Sequence, residues 1–166
     1  MIKMKVKGAD MAKIKQRLAN IWQGLGGNYV TVGVHKDALD YPNGESVAMV
    51  ALTNEFGATT SDGVVIPERS FLRSAVNENK GAINQWRVEV LQKLAEKKIT
   101  AHKALTIMGF RMQVLVQEKI KSNVPPPNAQ LTRDLKKERG QIPETLRATE
   151  HMLRQIGYQV YLRGTK

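Results

Sequence analysis

Residues 1–7 alternate Ile2, Met4 and Val6 with Lys3, Lys5 and Lys7. A period of two with one apolar face predicts a half-exposed strand, and lysines along it protect an edge. Gly8-Ala9-Asp10 reads as a turn, with Asp10 a candidate N-cap. From Met11 the period becomes helical. Ile14, Leu18, Ile21 and Trp22 share a stripe, and Gly24, Gly26 and Gly27 end it. Tyr29 to Val34 is a β-branched run and predicts a strand. Lys36 to Ser46 is a loop with turn chemistry at Pro42-Asn43-Gly44. Ser46 is placed to cap a short helix through Val47, Val50, Ala51 and Asn54. That helix is apolar almost all round, which predicts heavy burial.

The stretch from Asn54 to Arg73 organises the rest of the chain. Asn54-Glu55-Phe56-Gly57 closes the short helix, and Gly57 is expected in a left-handed conformation. Ala58 to Gly63 reads as a polar loop. Pro67 lacks a backbone N–H and holds Ile66 extended. Ser70 is a candidate cap for the next helix. Together these predict a rigid elbow between two helices, with Arg69 and Arg73 on its far side. Phe71 opens a long helix whose stripe is Ala75, Ile83, Trp86, Val90 and Leu94, with Gly81 a weak point in it. Ile99-Thr100 breaks or bends it. A second stripe of Leu105, Met108, Met112, Leu115 and Val116 ends near Ser122. The two stripes pack together or run on as one long, bent helix.

Pro125, Pro126 and Pro127 then stop the helix and stiffen the chain. Residues 128–145 are polar and predict a mobile loop or a short exposed helix, so about 123–145 reads as a Pro-rich arm. Thr149 to Ile156 predicts a last helix, and Tyr158 to Leu162 a closing strand. The order β-α-β-α-α-α-α-β predicts one α+β domain over 1–166. Its strands, from both ends of the chain and from 29–34, form a small, mostly antiparallel sheet covered on one face by helices.

Composition narrows the function. Aromatic residues are only 5% of the chain against 42% hydrophobic, so the core is aliphatic. The absence of cysteine removes disulfides, thiolate catalysis and most structural zinc sites. No apolar run is long enough for a bilayer, and the N-terminus does not read as a signal peptide. A protein kept in a cytoplasm, or built into a particle assembled there, is expected. The net charge of +11 is uneven: +6 over residues 1–36, −5 over 37–79, +6 over 80–121 and +4 over 133–166. One bland reading is a solvated surface. The sharper one is self-complementarity, in which an acidic face of one subunit meets a basic face of the next.

Candidate chemistry is sparse. His35, His102 and His151 are far apart, and no acid flanks them at metal-ligand spacing. Asp37 and Asp40 flank a turn. Gly24-Leu25-Gly26-Gly27 precedes a strand, whereas a dinucleotide-binding loop follows one. No catalytic residue, cofactor or metal site is therefore expected. Lys93, Lys97, Lys98 and Lys103 cluster near a helix junction, and Lys136, Lys137 and Arg139 form a second basic patch. With no recognition motif present, these fit backbone-level contact with DNA, not sequence reading.

Asn54-Glu55-Phe56-Gly57 followed by Ile66-Pro67-Glu68-Arg69-Ser70-Phe71-Leu72-Arg73 resembles a family of phage tail-completion and neck proteins. Val32-Gly33-Val34 with Tyr41 to Ala48 is similar to the strand, loop and helix start of that family. Pro143 to Tyr158 is similar to its closing segment, except that Thr149 is followed by Glu150 and His151 where the family has glycine. The resemblance spans most of the chain. It implies a virion protein without catalytic activity, forming a ring, commonly hexameric, at the head–tail junction. The ring would contact the tail tube and neck or connector proteins and pass double-stranded DNA through its lumen. The elbow residues Asn54, Glu55, Phe56, Gly57, Pro67, Arg69, Phe71 and Arg73 are then expected at subunit interfaces, with Arg69 and Arg73 paired to a neighbour's acids. The rival readings are an adaptor or stopper of an adjacent neck layer and a basic, non-specific nucleic-acid-binding protein.

Overall fold

The computed structural model describes residues 11–163. The strand expected at 1–7 and the Asp10 cap lie outside the described residues, as do the side chains of Ile14, Leu18 and Trp22. The elements in chain order are α1 (Met11–Leu25), β1 (Tyr29–Val34), α2 (Val47–Phe56), β2 (Ala58–Thr59), β3 (Val65–Ile66), α3 (Leu72–Glu78), α4 (Lys80–Ala95), α5 (Ala101–Lys121), α6 (Gln130–Glu138), α7 (His151–Gln155) and β4 (Ile156–Tyr161). The fold is α+β, with its described strands in two small antiparallel pairs.

β1 pairs with β4, so the last strand closes on an early one: Tyr29 lies opposite Tyr161 and Val34 opposite Ile156. The rings of Tyr29 and Tyr161 stack with centroids 4.8 Å apart, a cross-strand contact that fixes register. α5 packs against both strands. Gly109 makes that approach possible. A methyl group there would come within 2.6 Å of the Tyr158 ring and 2.7 Å of a Val30 methyl. The main core lies beside this layer and joins Val47 and Ala51 of α2 to Phe71, Ala75 of α3, Val116 and Ile120 of α5, Met152 and Leu153 of α7, and Ile156 of β4.

Several local expectations change. The polar loop expected at 58–63 is exposed at Thr60 to Gly63, but it is the turn of a short β-hairpin whose first strand takes in Ala58 and Thr59. Ala58 pairs with Ile66 and Thr59 with Val65, and the Thr60 N–H donates to the Val64 carbonyl at 2.9 Å. The helix after the elbow is interrupted at Asn79, not Gly81. The Asn79 side chain donates to the Ala75 carbonyl at 2.9 Å, and its own backbone leaves helical geometry. α4 and α5 are separate helices that pack together, and the Thr100 hydroxyl caps α5 by accepting from the Lys103 N–H at 3.2 Å. Ser46 makes no side-chain cap. Asp40 takes that role from the preceding loop, accepting from the Val47 N–H at 3.0 Å.

The polar arm carries the short helix α6. It is tied at both ends. The Asn128 amide donates to the Pro143 carbonyl at 2.8 Å, and Thr145 is fully buried, its hydroxyl lying between the Val124 carbonyl and the Asn123 amide oxygen.

Gly109→Ala is expected to destabilise the protein by about 1–2 kcal/mol. Alanine favours a helix by about 1 kcal/mol over glycine, but overpacking costs about 1–3 kcal/mol, and here both clashing groups are anchored in the sheet. Phe71, with no exposed surface, is expected to cost about 3–5 kcal/mol on substitution by alanine. Urea unfolding of both variants measures this. A Gly109→Ala protein as stable as the parent would mean that α5 does not approach the sheet so closely.

Candidate functional site

The elbow is held by one side chain. Glu55 stands on the last turn of α2 and is 3% exposed. One carboxylate oxygen accepts from the Phe71 N–H at 2.8 Å and the Leu72 N–H at 2.9 Å. The other accepts from the Arg73 N–H at 3.0 Å, the Ser70 hydroxyl at 2.8 Å and the Arg73 Nε–H at 3.0 Å. The first N–H groups of a helix have no partner within it, and a negative charge there is also favoured by the helix dipole. Glu55 therefore caps α3 from a different helix, 16 to 18 residues earlier in the chain. This corrects the expected role of Ser70. Its hydroxyl donates to Glu55 and caps nothing, and the cap residue of α3 is Phe71.

Burial alone would raise the Glu55 pKa. The N–H groups of Leu72 and Arg73 and the side chains of Ser70 and Arg73 outweigh it and hold the carboxyl below its ordinary value.

The two sides of the elbow are zipped by backbone. The Arg69 N–H donates to the Asn54 carbonyl at 2.6 Å, next to the hairpin pairing of Ala58 with Ile66. Gly57 sits between them at φ 73° and ψ 167°. This positive-φ, extended backbone is open to glycine, and it differs from the expected left-handed helical turn. A Cβ there would also lie 3.0 Å from the Glu68 nitrogen and the Ile66 carbonyl oxygen. Pro67 follows Ile66 of β3, as the extended geometry before a proline requires.

Both arginines are engaged within their own chain. Arg69 is 8% exposed, and its Nε–H donates to the Pro126 carbonyl at 2.9 Å, tying the elbow to the proline run. Arg73 pairs within its own chain. It holds the Glu55 carboxylate, the Glu55 carbonyl at 2.7 Å and Glu68 at 2.9 Å, and its guanidinium carbon lies 4.6 Å from the Phe56 ring centroid. Other acids of the 37–79 segment are engaged in the same way. Asp37 accepts from Gln159 at 2.8 Å, Asp40 caps α2, and Glu78 pairs with Lys119 at 2.7 Å. The segment's acidity thus largely serves internal capping and pairing, because helix starts and loop turns concentrate unpaired N–H groups. Glu45 and Asp62 remain exposed.

The basic residues divide. Lys97, Lys98 and Lys103 line one open cleft of about 610 Å³ between α1 and the α4–α5 turn, with Asn20 and Gln23 opposite. Lys93 stands on the last turn of α4 and pairs with Glu89 at 2.7 Å, and Lys98 with Glu96 at 2.8 Å. Lys137 and Arg139 are exposed at the end of α6, whereas Lys136 lines a separate cavity. Among the described residues, no group of three or more His, Cys, Asp or Glu side chains could hold a metal, and no helix is long and apolar enough to cross a membrane.

Comparison of the chain with protein-family models, with curated proteins and with solved structures returns no match.

Glu55→Gln keeps the size of the side chain but leaves an amide facing donors. It is expected to cost about 3 kcal/mol, since hydrogen bonds to a buried charge are the strong ones and the donors would lose their partner. The pH dependence has a definite sign. With a folded pKa below the ordinary 4.5, Glu55 contributes its full stabilisation above that value and loses it as pH falls through the folded value. Urea midpoints measured from pH 6 downward are expected to fall less steeply in Glu55→Gln than in the parent. Parallel profiles would remove Glu55 as the elbow's cap.

Proposed function

We propose that this chain is a structural, non-catalytic subunit of a phage particle. It assembles as a ring, hexameric by the resemblance, at the head–tail junction, where it completes the tail, contacts the tail tube and neck proteins, and lets double-stranded DNA pass. The observation that carries this reading is the outer face of α2. Val47, Ala51 and Glu55 turn inward, and Met49, Leu52 and Phe56 turn outward. With Val64 and Val65 of the neighbouring hairpin, these outward side chains are between 52% and 69% exposed. Three large apolar side chains exposed on one helix face are the kind of patch that monomeric soluble proteins rarely leave in water, and a second copy of the chain is the partner a ring provides.

Two further features support it. The two motifs that carry the resemblance form one interlocked unit, in which Glu55 of the first caps the helix begun by the second. Glu150 also holds a left-handed backbone at φ 55°, at the step where the resembled family carries glycine. With Arg69 and Arg73 engaged internally, the subunit contact proposed here is mainly apolar. Exposed acids such as Glu45 and Asp62 adjust register, as exposed ion pairs are worth only about 0–1 kcal/mol each.

A basic nucleic-acid-binding protein is the second reading, and the shared cleft of Lys97, Lys98 and Lys103 favours it. An adaptor or stopper of an adjacent neck layer would use the same subunit chemistry. Imaging of the assembled particle separates it from a terminator by the layer the subunit occupies.

Light scattering coupled to gel filtration tests the ring. The parent is expected to form a closed oligomer that persists in high salt, and Leu52→Glu to yield monomers with unchanged circular dichroism and unfolding midpoint. A parent that stays monomeric alone and with tail proteins, yet binds duplex DNA with a steep salt dependence, would favour the second reading instead.

A further inference from the structure

Behind the elbow lies a cavity of about 160 Å³ that the ring reading does not use. Residues far apart in sequence line it, among them Tyr41, Asn54, Arg69, Asn128 and Lys136. Two of these are cations. Arg69 is more than nine-tenths buried and its Nε–H donates to the Pro126 carbonyl; among the described residues no side-chain nitrogen sealed from solvent lacks a partner, so its two terminal nitrogens, bonded to no described residue, open onto the cavity. Lys136 is half-buried and donates one of its three protons to the Glu144 carbonyl at 3.0 Å.

Among the described residues, no carboxylate forms an ion pair with either cation. Glu150 lines the cavity too, but its carboxylate is held by Arg147 at 2.6 Å. Burial pushes the Lys136 pKa down, and the charge of Arg69 pushes it the same way, against a smaller opposing pull from Glu144. Two cations therefore face one polar cavity and repel each other. Buried charges are ordinarily paired, and a guanidinium with free N–H groups is shaped to bind an oxyanion at two points. The amides of Asn54 and Asn128 each keep one N–H beyond the bond that they make to a carbonyl.

We propose that this cavity binds a small, doubly charged phosphate, either inorganic phosphate or a compact phosphomonoester. Two cations on different walls match a ligand that carries close to two negative charges and several acceptor oxygens at neutral pH; a single carboxylate balances only one of them. The volume suits such an ion and is well below the roughly 300–1,000 Å³ of sites that take drug-sized ligands. Because Arg69 belongs to the elbow and Lys136 to α6, the bound ion would fasten the arm to the elbow. The proposal does not depend on the ring reading.

Isothermal titration calorimetry of the full chain with inorganic phosphate, against chloride at equal ionic strength and neutral pH, tests it. The parent is expected to bind one ion saturably. Lys136→Gln keeps a donor for the Glu144 carbonyl and removes the charge, and is expected to weaken binding about tenfold or more, the loss of one charge-assisted contact. Lys97→Gln, in the other cleft, is expected to bind as the parent does. Arg69→Lys keeps the charge but not the fork, and is expected to bind more weakly with its fold intact by circular dichroism. A second titration with glycerol phosphate asks whether one oxygen can be esterified; saturable binding of phosphate, with or without the ester, supports the site. Absence of saturable binding to the folded parent, or equal affinity in Lys136→Gln (an adventitious ion only), would overturn the proposal.

Discussion

The carboxylate of Glu55 is a single negative charge held inside the protein by three backbone N–H groups, a serine hydroxyl and a guanidinium. A buried charge is tolerated only where its hydrogen-bonding capacity is filled, and a helix start is unsatisfied where no anion or cap faces it. Each solves the other's problem, so the end of α2 and the start of α3 must meet at one position and one angle. That fixes where Phe71 and Ala75 enter the core against Val116 and Ile120.

This constraint also decides which surfaces are left for other molecules. With Glu55 facing inward on α2, helical spacing turns Met49, Leu52 and Phe56 outward, and Val64 and Val65 of the hairpin are exposed as well. The charges that the net balance suggested for contact between subunits are largely absorbed. Arg73 closes over Glu55 and Glu68, Asp40 caps α2, and Glu78 meets Lys119. Apolar area remains exposed where acidic residues are densest in the sequence. An assembly that used this face would draw its affinity from burial and its orientation from the few exposed acids at its edge. Arg69 ends with its backbone bonded to Asn54 and its side chain bonded to Pro126, facing a cavity it shares with Lys136.

The amino-acid sequence by itself determined the α+β class, the strand at 29–34, the helix from Val47, a helix ending near Ser122, the break at Ile99-Thr100, and a last short helix and closing strand, read at 149–156 and 158–162 and found at 151–155 and 156–161. Periodicity, β-branched runs and helix breakers act over a few residues, so they can be read locally. The importance of the 54–73 stretch was legible for the same reason, through Gly57 and Pro67. What only the tertiary structure decided is who bonds to whom. Ser46 and Ser70 stand where caps belong, yet Asp40 and Glu55 supply the oxygens, from seven and at least sixteen residues away. Two-residue strands such as β2 and β3 are too short to show a period. Arg73 next to acids in sequence could have paired with any of them or with a neighbour, and a side chain's choice among partners depends on distances that the fold alone sets. The cavity of Arg69 and Lys136 has no local signal at all, because its walls lie between residues 41 and 152 and become one site only when the chain closes.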